Sequence, residues 1–105
     1  IDYPKAYSKG KIIIGNDVWI GAYVTLLSGV TIGDGAIIGA NSVIRRDIPP
    51  YAVIIGNQAQ LIKYRFETNQ IYALLRIKWW DWDEKTIKER IEDFKNIDKF
   101  IEKYE

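Results

Sequence analysis

One feature limits this chain more than any other. From Ile14 the sequence divides into blocks of six: IGNDVW, IGAYVT, LLSGVT, IGDGAI, IGANSV and IRRDIP. The first place is always Ile or Leu: Ile14, Ile20, Leu26, Ile32, Ile38 and Ile44. The fifth place holds Val18, Val24, Val30, Ala36, Ser42 and Ile48, mostly small or β-branched. A helix repeats every 3.6 residues and a strand every two. Two inward residues in six fit a short strand followed by a tight bend. Three such units close a triangular coil of about 18 residues, and coils stack as a parallel β-helix. Glycine in the second place suits a crowded corner or an unusual φ. Asn16-Asp17, Ser28-Gly29, Asp34-Gly35 and Asn41 supply turn formers. Leu27 stands where glycine is expected, so an altered corner is expected there.

Six blocks give about two coils, and stacking needs at least ~3 repeats to bury a stable core. The chain is therefore expected to need further coils upstream, assembly into an oligomer, or both. It begins at Ile1 and contains no Met, which fits a piece of a longer protein.

The β-helix coils are expected over residues 12–57, after a lead-in loop at 1–11. A helical extension follows at 58–105. Its first helix is expected over Thr68–Lys78, capped by Thr68 or Asn69. The second starts near Asp83, with Ile87, Ile91, Phe94, Ile97, Ile101 and Tyr104 at helical spacing. Trp79, Trp80 and Trp82 are read as packing the helices against the β-helix. Asp47 and Asp81 have no evident special role.

Composition removes several kinds of chemistry. The 105 residues include no Cys and no His. Disulfides, thiol nucleophiles, a Ser-His-Asp triad and His-ligated metals cannot be built from them. A net charge of +1 argues against a dedicated nucleic-acid surface. No stretch approaches the ~20 apolar residues of a membrane span, and no signal peptide is visible. The cytoplasm is the expected compartment.

The stretches "IGNDVWIG", "GVTIGDGAIIGANSVI", "RDIPPYAVIIGN" and "IKWWDW" resemble the left-handed β-helix hexapeptide acyltransferases. More narrowly they resemble the xenobiotic acetyltransferase group, with its streptogramin A and hexapeptide-type chloramphenicol enzymes. The β-helix motifs are shared with sugar acetyltransferases. The resemblance implies a homotrimer with acetyl-CoA in the groove between neighbouring prisms and no metal. It implies transfer of acetyl to a hydroxyl of an antibiotic or a bacterial sugar. A His serves as general base in that family, and the hydroxyl attacks the thioester directly. That His has no counterpart here, so the chain looks like the C-terminal portion of such an enzyme and is expected to be inactive alone.

Motif by motif, the resemblance assigns cofactor contacts. Trp19 falls beside the reactive end of the cofactor arm, and Ala22 and Ala40 at its pantetheine. Arg45, Arg46 and Lys63 fall near the nucleotide phosphates, which suit basic side chains. The chain departs from the family at Gly56-Asn57-Gln58-Ala59-Gln60, where Pro and a basic residue are usual. A different class of function is a non-catalytic trimerising scaffold. A hexapeptide protein of the carbonic anhydrase type would need His ligands, which are lacking.

Overall fold

The computed structural model describes residues 8–105; positions 1–7 of the expected lead-in loop lie outside the described residues. Residues 8–63 form one compact unit and Tyr64–Glu105 a second.

In the first unit, eight short strands follow the repeat: β1 (Ile13–Ile14), β2 (Trp19–Ile20), β3 (Thr25–Leu26), β4 (Thr31–Ile32), β5 (Ile37–Ile38), β6 (Val43–Ile44), β7 (Ala52–Ile55) and β8 (Gln60–Tyr64). They make three flat faces. β1 pairs with β4, β3 with β6, and the third face runs β2-β5-β7-β8. The β1–β4, β2–β5, β3–β6 and β5–β7 pairs are parallel, with Ile14 over Ile32, Ile20 over Ile38 and Leu26 over Ile44. This is the expected triangular prism, one coil per 18 residues. Amides hold the coils together, with Gly15 N–H donating to Ile32 O and Gly21 N–H to Ile38 O, both at 2.8 Å.

The inward aliphatics form the core. Ile32, Ile38 and Ile44 are fully buried, and Val30, Ile48 and Ile54 nearly so. Each such side chain contributes ~1.5–3 kcal/mol by leaving water. One coil earlier the same columns are open: Ile14 is 49% exposed and Ile20 36%. A coil buries its aliphatics only with a neighbour on each side. Ser42, the one polar residue buried in this core among the described residues, donates its hydroxyl to Gly39 O at 2.7 Å.

The corners obey a rule that spacing alone did not reveal. The fourth place of the first five blocks is left-handed: Asp17, Tyr23, Gly29, Gly35 and Asn41 have φ of +55°, +59°, +80°, +72° and +63°. The corner at Leu27 follows the rule too, so the alteration expected there is absent. Leu27 simply points outward, and Gly29 supplies the left-handed residue.

The altered corner lies at Arg45-Arg46-Asp47. Ile48 was expected in a fifth place, yet it bridges Ile32, and Ile54 pairs with Ile38, both 16 residues on instead of 18. The corner is two residues short, and Ile48 starts a third coil. Its left-handed residue is Tyr51, φ +61°. Asp47, expected to be idle, accepts the Thr31 N–H at 2.8 Å. Asp34 accepts the Asn16 N–H at 2.7 Å in the same manner. These carboxylates receive amides that the corners leave unpaired. The face also continues past residue 57, where the coils were expected to end: Gln60–Tyr64 is strand, and helix starts only at Thr68.

The second unit contains three α-helices where the sequence suggested two: α1 (Thr68–Ile77), α2 (Glu84–Glu89) and α3 (Ile97–Tyr104), with tighter 3-10 turns at Trp79–Asp81 and Ile91–Lys95. Glu67, rather than Thr68 or Asn69, caps α1 through a reciprocal box with Gln70. Asp83 caps α2 as expected, accepting from Thr86 N–H at 2.7 Å. The expected long second helix breaks because Asn96 caps a new start, accepting from Lys99 N–H at 3.0 Å. Asn favours caps over helix interiors. The break folds the aromatic residues back on one another. Trp82 lies 4.9 Å from Tyr104 and 5.8 Å from Phe100, and Trp79 lies 5.3 Å from Phe94. Arg90 stacks 4.6 Å over Trp82 and 4.7 Å over Tyr104. The tryptophans thus build this unit's own cluster.

That cluster has a charged clasp. The Tyr104 hydroxyl and Lys103 Nζ both donate to Asp93. These bonds hold the Asp93 carboxyl below the usual 3.8, the tyrosine contributing most. Thr86, chiefly through its backbone N–H, does the same for Asp83. Partial burial, then the bond to Asp93, pushes Tyr104 above 10.0. A depressed acid stabilises the fold above its unfolded pKa and loses that effect as pH falls through the folded value. A raised group stabilises below its unfolded pKa and loses the effect as pH rises through the folded one. Helix content by far-UV circular dichroism is therefore expected to be flat around neutrality. It should fall below pH 3.8 and again above pH 10.0. Asp93→Asn should remove the Asp93 part of the acid-side loss and leave that of Asp83.

Candidate functional site

The outer side of the β2-β5-β7 face is apolar. Trp19, Ile37 and Val53 stand in register on it. Trp19 is 60% exposed and Ile55, farther along β7, 50%. Each strand leads into the same corner of the prism. In the first coil that corner is Gly21-Ala22-Tyr23, and in the second Gly39-Ala40-Asn41.

These two turns touch. Asn41 N–H donates to Ala22 O at 2.9 Å. A Cβ on Gly21 would come within 2.6 Å of Ala40 N. Glycine is required there by close backbone approach, since its φ is ordinary. Ala22 and Ala40 are exposed, and their methyl groups leave the backbone accessible along the edge. Carrying the register one residue past β7 puts Gly56 below Ala40. The edge therefore reads Ala22, Ala40, Gly56 over three coils, about 10 Å at ordinary strand spacing.

The basic residues fall in two places. Arg45 and Arg46 occupy the shortened corner after β6, away from Trp19, and both are exposed. Arg45 Nη1 nevertheless donates to Asn57 O at 3.0 Å. This bond draws its guanidinium to the exit loop at the lower end of the alanine edge. Arg46 makes no side-chain hydrogen bond or ion pair with a described residue. Lys63 is exposed on β8, three strands from Trp19 across the sheet. The fold thus gathers Trp19, Ala22, Ala40 and the Arg45 head along one edge. Arg46 and Lys63 lie to either side of it.

The sequence reading missed two features of this edge. One is the Arg45 bond, which follows from the two missing residues and left no local signal. The other is Tyr23, a bulky residue in a left-handed place, visible once the fourth-place rule is known. Among the described residues no cluster of three His, Cys, Asp or Glu is placed to hold a metal ion.

Residues 11–46 match the family model described as bacterial transferase hexapeptide (six repeats). A probable macrolide acetyltransferase of Lysinibacillus sphaericus is 48% identical over 84 residues, 80% of this chain and 47% of the relative. A chloramphenicol acetyltransferase of Agrobacterium fabrum is 44% identical over 79 residues, 75% of this chain and 38% of the relative. The chain belongs to the hexapeptide-repeat acetyltransferase family. Hexapeptide repeats of this family imply a left-handed turn for the prism. A hexapeptide-repeat acetyltransferase of Vibrio cholerae O1 biovar eltor, solved as a complex with acetyl coenzyme A, superposes with TM-score 0.54 at 38% identity. The match covers 55% of this chain and 32% of that one. This member spans about half the length of the first of these relatives, and less of the others. None of its helices is long and apolar enough to cross a membrane, among the described residues.

Proposed function

We propose that this chain is the coenzyme-binding portion of a cytoplasmic acetyl-CoA-dependent O-acetyltransferase. The observation that carries the reading is the edge itself: an exposed Trp19, two exposed alanines on touching turns, and an Arg45 guanidinium held at the far end. An extended pantetheine arm carries two amides and needs close backbone partners, which Ala22 and Ala40 permit. The phosphates of coenzyme A suit Arg45, Arg46 and Lys63. The apolar Trp19-Ile37-Val53 column is the face a second copy covers, which makes a homotrimer with one groove between each pair of prisms.

In this reading the acceptor hydroxyl attacks the thioester carbonyl, and the tetrahedral oxyanion is met by backbone N–H donors at the corner. The base comes from residues beyond these 105, since no His is among them. The relatives named for macrolides and chloramphenicol favour an antibiotic hydroxyl over a sugar hydroxyl. A non-catalytic scaffold would use the same apolar face, but it has no need for Arg45 at the alanine edge.

Calorimetric titration of the assembled protein with CoA tests this. Binding below millimolar is expected, with Arg46→Ala weakening it about threefold and more at low salt. No binding by a protein shown to be trimeric would leave only the scaffold. Thiol release from acetyl-CoA in the presence of a macrolide, chloramphenicol or an amino sugar then sorts the acceptor.

A further inference from the structure

The fourth-place rule isolates one residue. Asp17, Gly29, Gly35 and Asn41 are types that accept a left-handed backbone. Tyr51 is not, but its ring is 1% exposed and packs against Gly35. Tyr23 has neither excuse. Its φ is +59°, its side chain is 88% exposed, and it makes no hydrogen bond, ion pair or ring contact among the described residues. The fold carries backbone strain to display a tyrosine, and strain of this sort concentrates at functional sites.

Its position names the site. Tyr23 follows Ala22 directly, and Ala22 O receives the N–H of Asn41, the residue in Tyr23's own place one coil below. Tyr23 and Trp19 therefore flank the upper end of the alanine edge, one on the corner and one on the strand leading into it. The apolar column assigned to a second copy lies on the sheet face, whereas Tyr23 stands on the corner. The geometry points to Tyr23 as a further ligand-contact residue of this groove. Its ring covers methylenes of the pantetheine arm, and its hydroxyl donates to an amide carbonyl of that arm. This rests on the reading of the edge as a coenzyme A groove.

The test uses Tyr23→Asn and Tyr23→Phe in the full-length protein. Asparagine is the chain's own choice at the equivalent place, so Tyr23→Asn relieves the strain. It is expected to melt about 3 °C higher, to keep the oligomeric state, and to bind CoA about tenfold more weakly by calorimetry. Tyr23→Phe keeps the ring, loses the hydroxyl and is expected to weaken binding about threefold. Unchanged CoA affinity in Tyr23→Asn overturns the assignment. So does weakening that merely tracks dissociation of the oligomer, which would make Tyr23 an assembly contact. If the unmodified protein fails to bind CoA, the groove reading itself is wrong, and this inference goes with it.

Discussion

Replacing Ile38 by alanine is expected to cost about 2–5 kcal/mol. Ile38 has no exposed surface and lies in one column between Ile20 above and Ile54 below. The backbone around it is fixed by amide bonds to both neighbouring coils, Gly21 N–H to Ile38 O and Gly39 N–H to Ile54 O, each 2.8 Å. The walls cannot close on the void, so lost transfer energy and the residual cavity both count. Small domains have only about 5–15 kcal/mol in all. Ile20→Ala, in the same column but 36% exposed, should cost much less, ~1–2 kcal/mol. Urea midpoints for the two variants check the gradient. Equal losses would mean that stacking does not set the core's strength.

Much of the prism was legible in the sequence because inward aliphatics repeat with the geometry that buries them. Three things were not legible, each for a physical reason. Ile48 looked like a fifth-place residue because the block count ran on, whereas the chain had shortened a corner by two residues. The pairings of Ile48 with Ile32 and of Ile54 with Ile38 reveal that. Asp34 reads in the sequence as a turn former beside Gly35, and Asp47 as a residue with no evident role. Their work is to accept amides about one coil back in sequence, which a local reading does not see. In the second unit the apolar spacing from Ile87 to Tyr104 suits one long helix. A straight helix over that stretch would spread its rings, Phe94 to Tyr104, along ~15 Å, and capping by Asn96 gathers them instead. Of the site, the types at Trp19, Ala22 and Ala40 were readable, and their shared edge needed the register. Arg45 was readable as a cation but not as one tied to Asn57.

Gly35→Ala is the other large expected loss, about 2–5 kcal/mol from two additive causes. Gly35 has φ +72°, where an L residue pays roughly 1–2 kcal/mol. A Cβ there would also lie 2.3 Å from Tyr51 Cε1 and 2.4 Å from Cδ1. Flexible side chains often relieve such a contact by turning aside. Tyr51 cannot do so cheaply: it is 1% exposed, follows Pro49-Pro50, and is anchored by its N–H to Asp34 O at 2.8 Å. Overpacking of this kind costs ~1–3 kcal/mol. The two causes separate in a double-mutant cycle with Tyr51→Ala. Removing the ring should restore the overpacking part and leave the backbone part, a coupling of about 1–3 kcal/mol. Additive losses, within ~0.5 kcal/mol, would mean that the ring is not the obstacle and that the left-handed corner alone demands glycine. A large coupling would show the third coil locked to the second by one tyrosine seated over one glycine, with the shortened corner at Arg45-Arg46-Asp47 bringing it there.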